Sequence, residues 1–106
     1  MGICVMSVRD DNFNTFITSN KLVVVDFFAM WCGPCCALSP YIDELSANNH
    51  HILFATANIE ETPIIANELD VKSLPCVIIF ENGKEINRVV GFNKQKLQAI
   101  IENLSE

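Results

Sequence analysis

Polar residues interrupt the apolar positions of this chain with two different periods, and the switches between them mark out its elements. From Leu22 to Ala29 the run is β-branched, aromatic or small and broken only by Asp26, which predicts a central strand buried on both faces. Leu38, Ile42 and Leu45 then recur at helical spacing, and Pro34, with a fixed φ and no N–H, suits the first position of that helix. Pro40 falls inside it, where a missing hydrogen bond predicts a bend. Upstream, Ile3 to Ser7 predicts a short first strand, and Asp10 or Asp11 a cap for a helix whose apolar stripe is Phe13, Phe16 and Ile17.

Downstream, Ile52 to Ile59 reads as a second buried strand, and Thr62-Pro63 should cap and open a short helix with Ile65, Ala66 and Leu69 facing inward. Asp70 to Ser73 reads as a loop. Cys76 to Phe80 and Ile86 to Val90 flank Glu81-Asn82-Gly83-Lys84, where Asn-Gly readily takes the positive φ values of a type I′ hairpin. Asn93 caps a last helix with Leu97, Ile100, Ile101 and Leu104 at amphipathic spacing. The order is βαβαβαββα. It predicts an α/β fold: a central mixed sheet of five strands, parallel in part and closed by an antiparallel hairpin, flanked by four helices on its two faces.

The chain has 106 residues, half of them hydrophobic, so one domain spanning residues 1–106 can build a core without metal or disulfide staples. It carries no repeat, low-complexity stretch or linker. A net charge of −6, from 13 acidic residues against 7 Lys and Arg, excludes a phosphate-binding surface, so neither nucleic acid nor membrane is an expected partner. The N-terminus lacks the basic and apolar regions of a signal peptide, and no apolar run approaches a membrane span, so a soluble, cytoplasmic protein is expected. Gly2 fails the myristoylation pattern because Met6 stands where Ser or Thr is needed.

Five cysteines, Cys4, Cys32, Cys35, Cys36 and Cys76, are an odd number, which fits working thiols in a reducing compartment better than structural bridges. The C-x-x-C spacing of Cys32-Gly33-Pro34-Cys35 is shared by redox pairs and by half of a zinc site, and the strand before it with the helix after it favours the redox pair. Cys32 falls at the N-terminus of the helix, where free N–H groups and the helix dipole favour a thiolate, the form that attacks disulfides. Cys35 lies on the same face one turn on, close enough to close a disulfide with Cys32 as the resolving thiol. A metal cluster would need Cys32, Cys35, Cys36 and Cys76 together, yet there is no second C-x-x-C and His50-His51 do not fit a finger spacing, so no metal is expected.

Burial in an apolar strand should raise the pKa of Asp26 and let it exchange a proton with Cys35; the alternative is a partly solvated charge at a strand end. Cys36 stands about 100° around the helix from Cys35, so it cannot replace Cys35 without strain but could enter mixed or intermolecular disulfides. Cys76 and Cys4 read as small buried hydrophobes, with a regulatory thiol at Cys76 as the alternative.

Val25-Asp26-Phe27-Phe28-Ala29, Trp31-Cys32-Gly33-Pro34-Cys35, Pro40, Leu74-Pro75 and Val90-Gly91 together resemble the thioredoxin family over nearly the whole chain. The resemblance implies the thioredoxin fold and a reducing dithiol whose Gly33-Pro34 stiffens the turn. It implies that Pro75 is a cis-proline lying against the disulfide, offering nearby backbone to a strand-like substrate. Trp31, Gly33, Pro34, Leu74, Pro75, Val90 and Gly91 would then form a shallow apolar surface around Cys32, suited to extended polypeptide. Departures from the family pattern are Phe28 for a tryptophan, Met30 before Trp31, Cys36 for a lysine, and Thr56 where a lysine often accompanies Asp26; without that cation Asp26 should be harder to ionise.

The expectation is a protein-disulfide reductase that binds no cofactor of its own. By resemblance it is recycled by thioredoxin reductase, so that NADPH and FAD enter only indirectly, and it meets disulfide-containing proteins as substrates. A monomer is expected, with a disulfide-linked dimer as the alternative. The rival from another class is a binding module that docks through the same surface with its disulfide incidental. Within the enzyme class a disulfide isomerase or oxidant stands against Gly33-Pro34 and the missing signal peptide.

Overall fold

The computed structural model describes residues 5–104, so Ile3 and Cys4, and with them the start of the first expected strand, lie outside the described residues. The elements are β1 (Val5–Ser7), α1 (Phe13–Thr18), β2 (Leu22–Phe28), α2 (Gly33–Asn48), β3 (Leu53–Asn58), α3 (Pro63–Glu68), β4 (Cys76–Glu81), β5 (Lys84–Val90) and α4 (Lys94–Glu102). They form a five-stranded sheet in the order β1-β3-β2-β4-β5. β3 runs parallel to β1 and β2, while β4 runs antiparallel to β2 and β5. The expected order and mixed α/β sheet are therefore what the chain forms.

Alternation along β2 divides the core into two layers. Val23, Val25 and Phe27 face Phe13 and Ile17 of α1 and Ile65 of α3, with Phe13 edge-on to Phe80. Val24 faces Leu38 and Ile42 of α2 and Leu97 and Ile101 of α4. Continuing that alternation puts Asp26 on the α2 side, in the middle of the sheet, opposite Thr56 on β3 and Val77 on β4. A carboxylate so placed has strands on both sides and a helix above it, which is why it is only 2 % exposed.

The hairpin turn has Asn82 at φ +53° and Gly83 at φ +83°, the conformation its Asn-Gly sequence calls for. β5 begins earlier than the apolar pattern indicated because Lys84 and Glu85 still pair with β4; a bulge between Ile79 and Phe80 absorbs the extra residue. Asn93 accepts the Lys96 N–H at 3.0 Å and caps α4 as expected. The helix α2 starts at Gly33, so Pro34 takes its second position, and it runs on through Pro40 to Asn48.

Two expected caps are corrected. Asp10 does not cap α1, which Asn12 precedes; its carboxylate instead accepts the N–H groups of Ile64 at 3.2 Å and Ile65 at 2.9 Å, capping α3 from across the fold. Thr62 sits at the cap position of α3 but gives its hydroxyl to the Asn58 carbonyl at 3.0 Å. With Pro63 lacking an N–H, Ile64 and Ile65 are the free donors of that first turn, and the Asp10 carboxylate satisfies both.

Candidate active site

The site stands where β2 ends and α2 begins. A turn closed by the Cys32 N–H on the Ala29 carbonyl at 3.1 Å brings the chain from the sheet into the helix. Cys32 occupies the cap position of α2, and its Sγ accepts the Cys35 N–H at 3.2 Å, where serine or aspartate oxygen commonly sits. A sulfur held on a helix N-terminal amide is stabilised as an anion by that N–H and by the helix dipole. Cys32 and Cys35 are joined as a disulfide with their Cα atoms 5.3 Å apart.

The two sulfurs face different surroundings. Cys32 lines an open groove of about 400 Å³ with Trp31, Gly33, Pro34, Ile59, Val71, Lys72 and Leu74. Cys35 lines a separate cavity of about 240 Å³ with Asp26, Phe28, Ala29, Met30, Cys36, Ser39 and Thr56. Trp31 is 70 % exposed, an apolar surface presented at the rim of the groove.

Leu74 packs under the disulfide with Ala29 and Ile59, and the Leu74-Pro75 bond is cis. Pro75 is buried, and its carbonyl accepts the Gly91 N–H at 2.8 Å. Gly91 has φ +87°, which favours glycine there. Pro75, Val90 and Gly91 thus border the site rather than line the groove, whereas Trp31, Gly33, Pro34 and Leu74 are brought together in it. Ile59, Val71 and Lys72 also line it and were not picked out by the sequence. Ile59 was legible as the last apolar residue of a strand, while Val71 and Lys72 reach the groove through a loop whose Asp70 takes φ +58°.

Asp26 Oδ1 is buried and makes no hydrogen bond. Burial pushes the Asp26 carboxyl up from its ordinary 3.8 to about 7, since no solvent compensates the charge. The ion pairs among the described residues, Lys72 with Asp70 and Arg88 with Glu85, do not reach it. Thr56, a short uncharged side chain, lines the same cavity, and none of the residues lining it is a lysine or arginine.

Cys36 is exposed, and Cys76 is 1 % exposed in the α1 and α3 layer of the core, where burial pushes its thiol up. His51 lies against the Leu104 carbonyl at 3.2 Å. Among the described residues no three His, Cys, Asp or Glu side chains converge as a metal site would require. No helix among them is long and apolar enough to cross a membrane.

A family model described as Thioredoxin matches residues 4–103. The chain is 42 % identical over 99 residues to a thioredoxin of Chlamydia caviae, covering 92 % of this chain and 96 % of that protein. It is 37 % identical to a thioredoxin of Echinococcus granulosus, covering 92 % of each. Among solved structures, the thioredoxin NaTrxh from Nicotiana alata superposes with a TM-score of 0.92 at 32 % identity, covering all of this chain and 96 % of that one. Plasmodium falciparum thioredoxin gives 0.90 at 30 % identity, covering 94 % and 99 %. With this fold, this disulfide and these relatives, the chain belongs to the thioredoxin family and is a thiol-disulfide oxidoreductase.

Proposed function

We propose that Cys32 is the attacking thiol, Cys35 the resolving thiol and Asp26 the group that exchanges a proton with Cys35. The observation that carries this is the inequivalence of the two sulfurs: Cys32 faces the groove where a substrate would lie, and Cys35 faces the cavity that holds the Asp26 carboxyl. In the reduced protein the Cys32 thiolate attacks one sulfur of a substrate disulfide, and the other substrate sulfur leaves as a thiolate. Asp26 takes the Cys35 proton, the Cys35 thiolate attacks Cys32 Sγ, and the second substrate sulfur leaves. Two electrons have passed to the substrate, and the pair is left as the disulfide seen here. A carboxyl poised at about 7 can both accept and return a proton near neutrality.

The groove is open and its rim apolar, which suits an extended polypeptide docking along Trp31, Gly33, Pro34 and Leu74, with Pro75, Val90 and Gly91 supporting its edge. A single domain working as a monomeric electron carrier in the cytoplasm, reduced by thioredoxin reductase with NADPH and FAD acting only there, completes the proposal. The test is dithiothreitol-driven reduction of insulin disulfides. Wild type should turn over, Cys32→Ser and Cys35→Ser should not, and Cys36→Ser should keep most of the rate; turnover by Cys32→Ser would overturn the assignment.

A further inference from the structure

The groove and the cavity that flank the disulfide share no lining residue, and Cys36 belongs to the cavity. It is exposed, while Cys76 is sealed in the core, so with the pair oxidised Cys36 is the thiol among the described residues that a small reagent reaches. The cavity floor is the buried Asp26 carboxyl, whose Oδ1 has no hydrogen-bond partner. An unpartnered buried oxygen of this kind is served by water. A volume of about 240 Å³, against roughly 30 Å³ for each water in the liquid, leaves room for several. A group fixed on Cys36 would take that room and stand between Asp26 and solvent. The groove, which shares no lining residue with the cavity, would stay open.

We infer that Cys36 is a modification site for small aliphatic disulfides of the glutathione-disulfide class, and that its adduct closes the Asp26 cavity, slowing substrate release while leaving substrate capture intact. The Cys36 thiolate attacks one sulfur of the small disulfide. A Cys36–sulfur bond forms, the original sulfur–sulfur bond breaks, and the departing half leaves as a thiolate that takes a proton from water. Cys36 is oxidised and the departing half reduced. The consequence for release rests on the proton role proposed above for Asp26.

The test uses the full chain carrying Cys4→Ser, oxidised at Cys32 and Cys35. Incubation with glutathione disulfide followed by peptide mass mapping should place the adduct on Cys36, and an unlabelled Cys36 would overturn the assignment. For kinetics, N-ethylmaleimide applied to the oxidised protein leaves a thioether on Cys36 that survives later reduction. In single turnovers against a disulfide-linked peptide the alkylated protein should capture at the unmodified rate and release at least about tenfold more slowly. Unchanged release, or equal slowing of both steps, would overturn the inference. Cys36→Ser treated in the same way should keep both rates. Asp26→Asn separates the two ideas. Release at the wild-type rate by Asp26→Asn would remove the proton role itself, whereas slow release there with normal release by the alkylated wild type would remove the Cys36 inference alone.

Discussion

Replacing Asp26 by Asn should stabilise the oxidised protein by an amount that grows with pH. Below 3.8 the carboxyl is protonated in both the folded and the unfolded chain and makes no difference between them. Between 3.8 and about 7 the unfolded chain ionises while the folded one does not, so the native state loses stability as pH rises; above about 7 the whole cost is present. At about 1.36 kcal/mol per pH unit, that gap amounts to about 4 kcal/mol. Because part of the window lies below pH 5, the advantage of Asp26→Asn should grow by about 3 kcal/mol between pH 5 and pH 8. The fixed cost of burying an amide is common to both conditions and cancels in the comparison. Urea unfolding of wild type and variant, both with the disulfide intact, measures it at each pH. An advantage that is the same at pH 5 and pH 8 would mean that the carboxyl ionises as easily in the folded protein as in the unfolded chain, and burial would then not be raising its pKa.

Asp10→Ala should destabilise the protein by about 1 kcal/mol, because the Ile64 and Ile65 N–H groups lose their acceptor. Amide exchange at Ile65 should accelerate more than exchange in β2. Gly83→Ala should cost about 1 to 2 kcal/mol, since its φ of +83° disfavours a side chain and the new Cβ would stand 2.9 Å from Thr18 Cγ2. A shift in the urea midpoint without a change in slope would check it.

What the sequence shows most clearly are features whose causes are local. The buried run of β2 and the Asn82-Gly83 turn each depend on residues within a few positions, as does the Asn93 cap on the Lys96 N–H. Cys32 and Cys35 belong to the same group, because one helical turn brings them together. Asp10 was misread because its partners lie 54 and 55 residues away, and a cap supplied across the fold leaves no trace in its neighbours. Val71 and Lys72 escaped for the same reason, since an irregular loop carries them to the groove. Asp26 and Cys36, ten residues apart, meet in one cavity only because α2 packs back over β2, and the small Thr56 on a third element helps to keep that space open.

If Cys32 attacks and Cys35 resolves, removing Cys35 should trap the mixed disulfide. Reduced Cys35→Ser, in a Cys36→Ser background, is mixed with a disulfide-linked peptide and the intact mass is measured. A long-lived one-to-one adduct, mapped to Cys32 and released by dithiothreitol, is the predicted result, with none formed by Cys32→Ser under the same conditions. An adduct on Cys32→Ser equal to that on Cys35→Ser would rule out Cys32 as the attacking thiol.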